Sequence, residues 1–161
     1  MALFSREPEL QDQALGELGQ MFASPELVSG DPTPGAELLD ASRLDFTLES
    51  LGFVDDYLDQ MRRRQLDDMA HSKLVLRCGA YVGEVILRNA KHKTYHWVDY
   101  KGALKINRSI ADFGMNLGTA AVLWDSADGL AFPLAKVQKF LASGRENSVQ
   151  IFANMMIEQS E

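Results

Sequence analysis

The side chains best suited to chemistry lie on one stripe of a long apolar run, residues 73–89. Projected at about 100° per residue, this run is apolar nearly all round and leaves only that narrow polar stripe. Two arginines beside a carboxylate could bind an anion while the carboxylate acts as a base. The stripe would then form a polar cleft with two residues of the next predicted strand at its mouth. The six candidates are Arg77, Tyr81, Glu84, Arg88, His96 and Trp97.

The same stripe has a second interpretation, as a row of ion pairs along the one partly wet edge of a buried helix. Glu84 and Arg88 are four residues apart in the favourable order, and an exposed pair of this kind contributes only about 0.2–0.5 kcal/mol. Structural ion-pair networks produce the same pattern as catalytic clusters. We favour the ion-pair row, and a small enzyme or anion-binding domain that uses the stripe is the alternative.

A second acidic group, formed by Asp55, Asp56 and Asp59, lies on the predicted amphipathic helix at residues 48–64. Carboxylates suit hard cations, but a helix directs Asp56 well away from the other two. A polar helix face of this kind is typically solvated. We therefore predict no metal site but an acidic face that could meet a basic partner protein and speed its association.

Other motifs for catalysis or cofactor binding are incomplete. His92 and His96 have the spacing of zinc ligands on a helix, but the local pattern is that of a loop entering a strand. Ser109, His96 and Asp112 contain the residue types of a triad without the GxSxG turn. The sequence has neither GxxxxGK[ST] nor GxGxxG after a strand. We predict no metal and no cofactor.

The apolar run at residues 73–89 is predicted to be the central buried helix, because a helix that is apolar nearly all round is buried. Gly79 and Gly83 are four residues apart and share one face. Each costs about 1 kcal/mol of helix propensity relative to alanine. We therefore expect another part of the backbone to approach this face closely. Cys78, the single cysteine, is predicted to be a small buried hydrophobe.

The region before residue 36 is predicted to be a separate unit, consisting of a helix near residues 8–21 and a linker at residues 24–35. The linker contains three prolines and two glycines, and the residue before a proline is disfavoured in helical geometry. Residues 1–35 could therefore be an appendage that packs on the body or on a partner. Residues 36–161 are predicted to form a single α+β domain.

After the central helix the pattern changes to aromatic and β-branched runs, which favour strands. Pro133 suits the first turn of a helix and Gly144 a helix stop, and a last helix should direct Val149, Phe152, Met155 and Met156 inward. The predicted fold is α+β, with helices flanking a small antiparallel sheet around the buried helix. The predicted segments are a strand at 94–100, its possible continuation at 103–106, an ambiguous turn at 112–118, a hairpin at 119–132, and helices at 133–143 and 146–159.

Composition narrows the class of protein. With 46% hydrophobic and 24% charged residues in 161, the chain has the composition of one globular domain. A net charge of −7 argues against a nucleic-acid surface, which needs clustered Lys and Arg. The central run is interrupted by charges and is too short to span a bilayer. Without a disulfide framework or a signal-like start, we expect a cytoplasmic protein.

Four motifs in one order make the chain similar to a loosely defined set of uncharacterised bacterial proteins. The similarity covers residues 44–153 and departs from the usual pattern at Leu134, at Asn147 and between residues 88 and 96. It implies a stand-alone cytosolic domain, either of the immunity type associated with contact-dependent toxin systems or carried as an orphan domain, and it transfers no catalytic residue. The motifs are SLGFVDDYL (Ser50–Leu58), GAYVGEVILRN (Gly79–Asn89), Trp97 on a strand, and FPLAKVQKFLASGRENSVQIF (Phe132–Phe152).

Two main functions follow from these observations. The first is a non-catalytic protein-binding domain, specifically a cytosolic immunity protein that binds and inhibits a bacterial toxin effector. The second is the small enzyme or ligand-binding domain already described, which requires a concave pocket beside the polar stripe. A homo-oligomer or assembly adaptor that uses the N-terminal segment is a third possibility.

Overall fold

The structure, a computed structural model, describes the backbone of residues 2–159 and the side chains of residues 9–159. Within that range the fold is α+β, as predicted. None of the described helices is both long and apolar enough to cross a membrane. The helices are α1 (Ala2–Ala23), α2 (Ser50–Met61), α3 (Asp68–Asn89), α4 (Tyr100–Ile106), α5 (Pro133–Ser143) and α6 (Val149–Glu158), and the strands are β1 (His96–Asp99), β2 (Ala121–Trp124) and β3 (Leu130–Ala131).

Helix α3 is the centre of the core. It begins after Asp67, whose side chain caps the first turn by accepting a hydrogen bond from the Ala70 amide at 2.8 Å. From Leu74 to Ile86 every residue except Leu76 is buried. Helices α1, α5 and α6 pack around it. The prediction of a buried central helix is therefore confirmed.

The two glycines of α3 allow the close approach that their spacing predicted. A Cβ at Gly79 would lie 3.0 Å from the Cα of Leu134, in the first turn of α5. A Cβ at Gly83 would lie 2.1 Å from the indole ring of Trp97 and 3.3 Å from Pro133. No side chain larger than hydrogen fits at these two positions. The close contact with α5 and β1 therefore offsets the low helix propensity of the two glycines.

Helix α1 is longer than the predicted segment and packs on the body. Leu15 and Phe22 belong to the same hydrophobic core as α3. Gly16 and Gly19 lower the helix propensity of this segment, but both face α3. A Cβ at Gly19 would lie 3.4 Å from the carbonyl oxygen of Ala80. The N-terminal helix therefore supplies part of the core. Residues 1, 160 and 161, at the ends of the two predicted units, lie outside the described range.

The sheet has the order β1-β2-β3, with both neighbouring pairs antiparallel. Trp97 pairs with Leu123, and both side chains enter the main core. Val98 pairs with Val122 on the other face, where a smaller core lies against α4. Strands β2 and β3 form the predicted hairpin.

The segment at residues 103–106, expected to continue or pair with the strand, lies instead in helix α4. Asp99 ends β1 and caps α4, because its side chain accepts a hydrogen bond from the Gly102 amide at 2.8 Å. Ala103 is then fully buried in the smaller core. A side-chain cap and a tertiary contact therefore outweigh local strand propensity here.

The last two helices begin and end close to the predicted points. Pro133 opens α5, and Gly144, with φ of +94°, follows its last turn. The inward face of α6 differs from the prediction, because Met155 is not part of it and Ala153 and Ile157 are. Ile157 is buried, whereas Met155 is 60% exposed. Helix α6 therefore presents Met155 to solvent.

Candidate functional site

Glu84, the predicted base of the polar stripe, is enclosed between α1, α3 and β1. Its Oε2 accepts a hydrogen bond from Trp97 Nε1 at 2.9 Å, and its Oε1 accepts one from Arg88 Nη2 at 3.3 Å. A Cβ at Gly16 would lie 3.5 Å from Oε1 and one at Gly19 would lie 3.2 Å from Cγ. Only 7% of the side chain is exposed. No substrate can reach this carboxylate while α1 is in place.

Arg77, the first arginine of the stripe, fastens the linker to α3. Its Nη1 donates to the carbonyl oxygen of Asp31 at 2.8 Å and to Thr33 Oγ1 at 3.0 Å. Its Nη2 donates to Asp31 Oδ2 at 3.1 Å. Lys73 pairs with the other oxygen of this carboxylate, and its hydrogen bond lowers the pKa of Asp31. The guanidinium is buried and committed to the linker, so it is not available to an anion.

Tyr81 and Arg88 position the loop before α2. The Tyr81 hydroxyl lies 2.6 Å from Ser50 Oγ and accepts a hydrogen bond from the Phe46 amide at 3.0 Å. Burial raises the pKa of Tyr81. The Arg88 guanidinium lies 3.7 Å from the centre of the Phe46 ring. Phe46 has φ of +63°, and Asn89 Nδ2 donates to its carbonyl oxygen at 2.9 Å. These contacts hold a conformation that phenylalanine rarely adopts.

His96 and Trp97, expected at the mouth of a cleft, contact α1 instead. Asp12 accepts a hydrogen bond from the Trp97 amide at 2.7 Å, and its other oxygen lies 3.2 Å from His96 Nδ1. The Trp97 side chain is fully buried. Asp12 therefore occupies the free edge of β1, and α1 covers the place where the mouth of the cleft was expected.

The structure therefore joins Glu84 to Arg88 and Trp97, whereas Arg77, Tyr81 and His96 have other partners, and the six candidates form no cleft. None of the four main cavities among the described side chains is lined by any of them. The preferred interpretation, an ion-pair row along a partly wet edge, agrees with the Glu84–Arg88 pair and with the 43% exposure of the Arg88 side chain. Arg77 and Glu84 are only 5% and 6% exposed, because the linker and helix α1 cover them.

The three aspartates of α2 join helices and do not form one open acidic face. Asp55 is buried and caps α6, because its carboxylate accepts hydrogen bonds from Ser148 Oγ at 2.6 Å and from the Val149 amide at 2.8 Å. Burial raises the pKa of Asp55. The prediction of a solvated face that includes Asp55 is wrong, because the N-terminus of α6 covers that carboxylate. Asp55 cannot contact a partner.

Asp56 and Asp59 share one arginine. Arg145 Nη2 donates to Asp56 Oδ1 at 2.8 Å, and its Nε lies 3.4 Å from Asp59 Oδ2. Arg63 approaches Asp59 at 3.5 Å. The side chain of Asp56 is 61% exposed and that of Asp59 19%, so Asp56 presents most of the remaining acidic surface. Among the described residues, no three His, Cys, Asp or Glu side chains are grouped to hold a metal ion.

The most strongly apolar of these four cavities lies elsewhere, in a cleft between α5, α6 and the segment before β2. We call it the α5–α6 cleft. Its volume is about 410 Å³, within the range of ligand-binding clefts. A Cβ at Gly118, on the cleft wall, would lie 2.8 Å from Gln138 Oε1 and 3.1 Å from Ala135 Cβ. The lining residues are Phe113, Asn116, Gly118, Thr119, Leu130, Ala131, Phe132, Ala135, Lys136, Gln138, Lys139, Phe152 and Met156.

Large exposed apolar side chains occur on the cleft and next to its lining residues in the sequence. Phe113 lines the cleft and is 65% exposed, and Met115, next to lining residue Asn116, is 68% exposed. On α6, Ile151 and Met155 directly precede the lining residues Phe152 and Met156 and are 65% and 60% exposed. Phe113 is therefore both a lining residue and exposed, and the other three flank lining residues along the chain.

Sequence reasoning missed this surface. Residues 112–118 carry two glycines and an asparagine, a turn pattern that gives no sign that Phe113 and Met115 are exposed. The one available signal was the excess of apolar residues on the last helix. Residues 149–158 contain seven apolar residues in ten, VQIFANMMIE, which is more than one buried face requires.

Comparisons with protein-family models, with curated proteins and with solved structures give no match to this chain. The fold, the polar stripe and the α5–α6 cleft are therefore the basis for assigning function. The similarity to immunity-type proteins stays a prediction.

Proposed function

We propose that this chain is a non-catalytic protein-binding domain that engages its partner through the α5–α6 cleft. One observation carries the proposal: Phe113, a lining residue of the cleft, and three large apolar side chains that are next to lining residues in the sequence are 60–68% exposed. An exposed apolar patch at a cleft is typical of a binding site. Aromatic residues and methionine are the types enriched at the centre of protein interfaces.

A protein partner fits this surface better than a small ligand does. A ligand confined to the cleft would cover Phe132 and Met156 but would leave Met115 and Ile151 in water. A protein surface can cover the cleft and its apolar surroundings together. The anchors of such an interface are a few aromatic or apolar side chains that lose their contact with water.

The contacts of the polar stripe support a non-catalytic role. The enzyme alternative assigned base catalysis to Glu84 and anion binding to Arg77. Both side chains are buried and hydrogen-bonded to other parts of the chain. A general base must come within hydrogen-bonding distance of the proton that it removes. Opening this region would require α1 or the linker to leave the core, so we assign the stripe to the fold.

Within this function, we propose a bacterial toxin or effector domain as the partner. Two observations support this finer proposal. The four motifs within residues 44–153 predict an immunity-type protein, and the chain has a net charge of −7. An acidic protein attracts a basic partner and accelerates encounter. Asp56, with most of its carboxylate exposed, can contribute to this attraction.

Two matched double variants test the cleft as the binding surface. Phe113→Ser with Met155→Ser replaces two exposed apolar side chains on and beside the cleft. Leu27→Ser with Met69→Ser replaces two equally exposed apolar side chains outside the lining of the cleft. Truncating an interface anchor costs about 1–2 kcal/mol or more, so we expect the cleft variant to bind at least about tenfold more weakly.

The experiment uses the tagged full chain as bait in extract of its source cells, with quantitative mass spectrometry of the bound proteins. The supporting result is a protein retained by the wild type and by the control variant but depleted at least about tenfold on the cleft variant. Circular dichroism and thermal melting check that both variants fold. Equal retention of every bound protein by the two variants would refute the cleft as the binding surface.

The toxin proposal is tested by co-expression. The chain and a candidate toxin domain encoded beside it are produced together, and survival of the host cell is the readout. We expect the wild type and the control variant to protect the cells and the cleft variant to fail. If all three chains leave the toxin active, the toxin proposal is wrong, while the cleft remains open to another partner protein.

A further inference from the structure

We propose that the segment which a partner places in the α5–α6 cleft is both apolar and acidic, with Asp or Glu residues beside its apolar anchors. This inference rests on the proposed function and specifies the partner's chemistry. It follows from the charges at the cleft. Of the thirteen lining residues, Lys136 and Lys139 are charged, and both are cations.

The two lysines lie on the same side of α5. They are three residues apart, which places them as neighbours on a helix surface. Lys139 is exposed and Lys136 is half-buried. Lys136 Nζ lies 5.8 Å from the centre of the Phe152 ring, so its charge is next to the apolar wall of the cleft. A carboxylate bound there would lie beside an apolar anchor.

Neither lysine has a carboxylate partner among the described side chains. Lys136 Nζ has one weak contact, at 3.4 Å from Asn147 Oδ1. Of the other lysines, Lys91 and Lys93 each pair with a carboxylate, at 2.6 and 3.1 Å, whereas Lys101 and Lys105 on α4 have no such pair among the described side chains. In a chain of net charge −7, two adjacent cations without such a pair leave a local positive field. That field complements an acidic segment.

The interior of the cleft has room for an apolar anchor. The aromatic side chains of the lining include Phe132 and Phe152, and its small buried residues include Thr119 and Ala131. The volume of about 410 Å³ is large enough to accept an inserted side chain. An occupant that fills the cleft with an apolar group and directs carboxylates at the lysines matches both properties.

The test selects peptides from a phage-displayed random 16-residue library on the full chain. Clones that also bind the Phe113→Ser, Met155→Ser variant are removed, so the remaining peptides depend on the cleft. We expect these peptides to combine apolar residues with an excess of Asp and Glu over Lys and Arg, relative to the unselected library. Their association should slow as salt increases, because exposed charges act mainly on the association rate.

Charge reversal provides the matched comparison. Lys136→Glu with Lys139→Glu should weaken the selected peptides by about tenfold or more, since two attractive contacts become repulsive. A new selection on that variant should yield basic peptides. Lys101→Glu with Lys105→Glu changes the net charge equally at two exposed lysines of α4. This control should leave the affinity of the first peptides within about twofold.

The outcomes separate this inference from the proposed function. Cleft-dependent peptides without an acidic excess, or with unchanged affinity for the charge-reversed chain, would overturn the inference and leave the cleft as a protein-binding surface. A selection that yields no cleft-dependent peptide would overturn both. If decanoate then raised the melting temperature of the wild type but not of the charge-reversed chain, the cleft would bind anionic amphiphiles instead.

Discussion

Replacing Gly83 by alanine tests the packing on which this fold depends. The added Cβ would lie 2.1 Å from the Trp97 ring, which is fully buried and hydrogen-bonded to Glu84. Overpacking costs about 1–3 kcal/mol. Displacing the indole also breaks a hydrogen bond to a buried charge, which costs about 1–3 kcal/mol more. Alanine's better helix propensity returns about 1 kcal/mol. We expect the free energy of unfolding to fall by about 1–5 kcal/mol.

The control is Gly52→Ala, also inside a helix. There a Cβ would lie 3.5 Å from its nearest neighbour, Gln150, an ordinary contact. The same chemical change should therefore stabilise the chain by up to about 1 kcal/mol. Denaturant unfolding followed by tryptophan fluorescence gives both values. If the Gly83 variant is as stable as the wild type, our account of the α3–β1 contact is wrong.

Two further changes test the carboxylates that join elements. Asp55→Ala should lower the free energy of unfolding by about 1–3 kcal/mol, because it leaves Ser148 and the Val149 amide without their acceptor; denaturant unfolding measures this, and an unchanged midpoint would contradict the cap. Asp125 is partly buried, which raises its pKa, but hydrogen bonds from turn amides and Lys93 outweigh burial and lower it. Its stabilising contribution is therefore present above about pH 4 and is lost as the pH falls through the folded-state pKa. The stability difference between wild type and Asp125→Asn should be constant from about pH 6 to pH 4 and shrink as the pH falls below about 4, and a difference that does not shrink would refute the pairing.

The parts of the fold predicted correctly are those governed by local patterns. Apolar residues on all sides predicted that α3 is buried, and the spacing of Gly79 and Gly83 predicted a close contact on one face. The hairpin and the two ends of α5 follow from turn residues, a proline and a glycine. Each of these signals is contained in a few neighbouring residues. These features therefore depend on the local sequence and not on the identity of residues far away in the chain.

The environment of the polar stripe could not be predicted, because its partners are distant in the sequence. Arg77 binds a residue 46 positions away, and Tyr81 binds one 31 positions away. Asp12, which contacts β1, is 85 positions from Trp97. A helix pattern shows which side chains share a face but not which other element covers that face. The stripe therefore resembled a wet edge or a cleft, although the linker and α1 bury Arg77 and Glu84 within it.

The α5–α6 cleft is unpredictable for a related reason. Its lining comes from four separate segments, residues 113–119, 130–132, 135–139 and 152–156. The lining residues of each segment could equally belong to an ordinary core. Exposure distinguishes them, and exposure depends on how α5 and α6 pack on α3. The error at Met155 shows this, because the apolar content of α6 exceeds what its single buried face can cover.

The contrast between these two regions is the physical argument for where function lies. Buried polar groups without partners are costly, and in the stripe Glu84 and Arg77 have hydrogen-bond partners within 3.3 Å. Changes there should act through stability. At the cleft, by contrast, the apolar side chains of Phe113 and Met155 are exposed to water. The Lys139 ammonium has no carboxylate among the described side chains within ion-pair distance. A partner that supplies apolar contact and negative charge would cover the exposed apolar area and pair with the lysine. Substitutions at the cleft should therefore reduce binding and leave the melting temperature nearly unchanged.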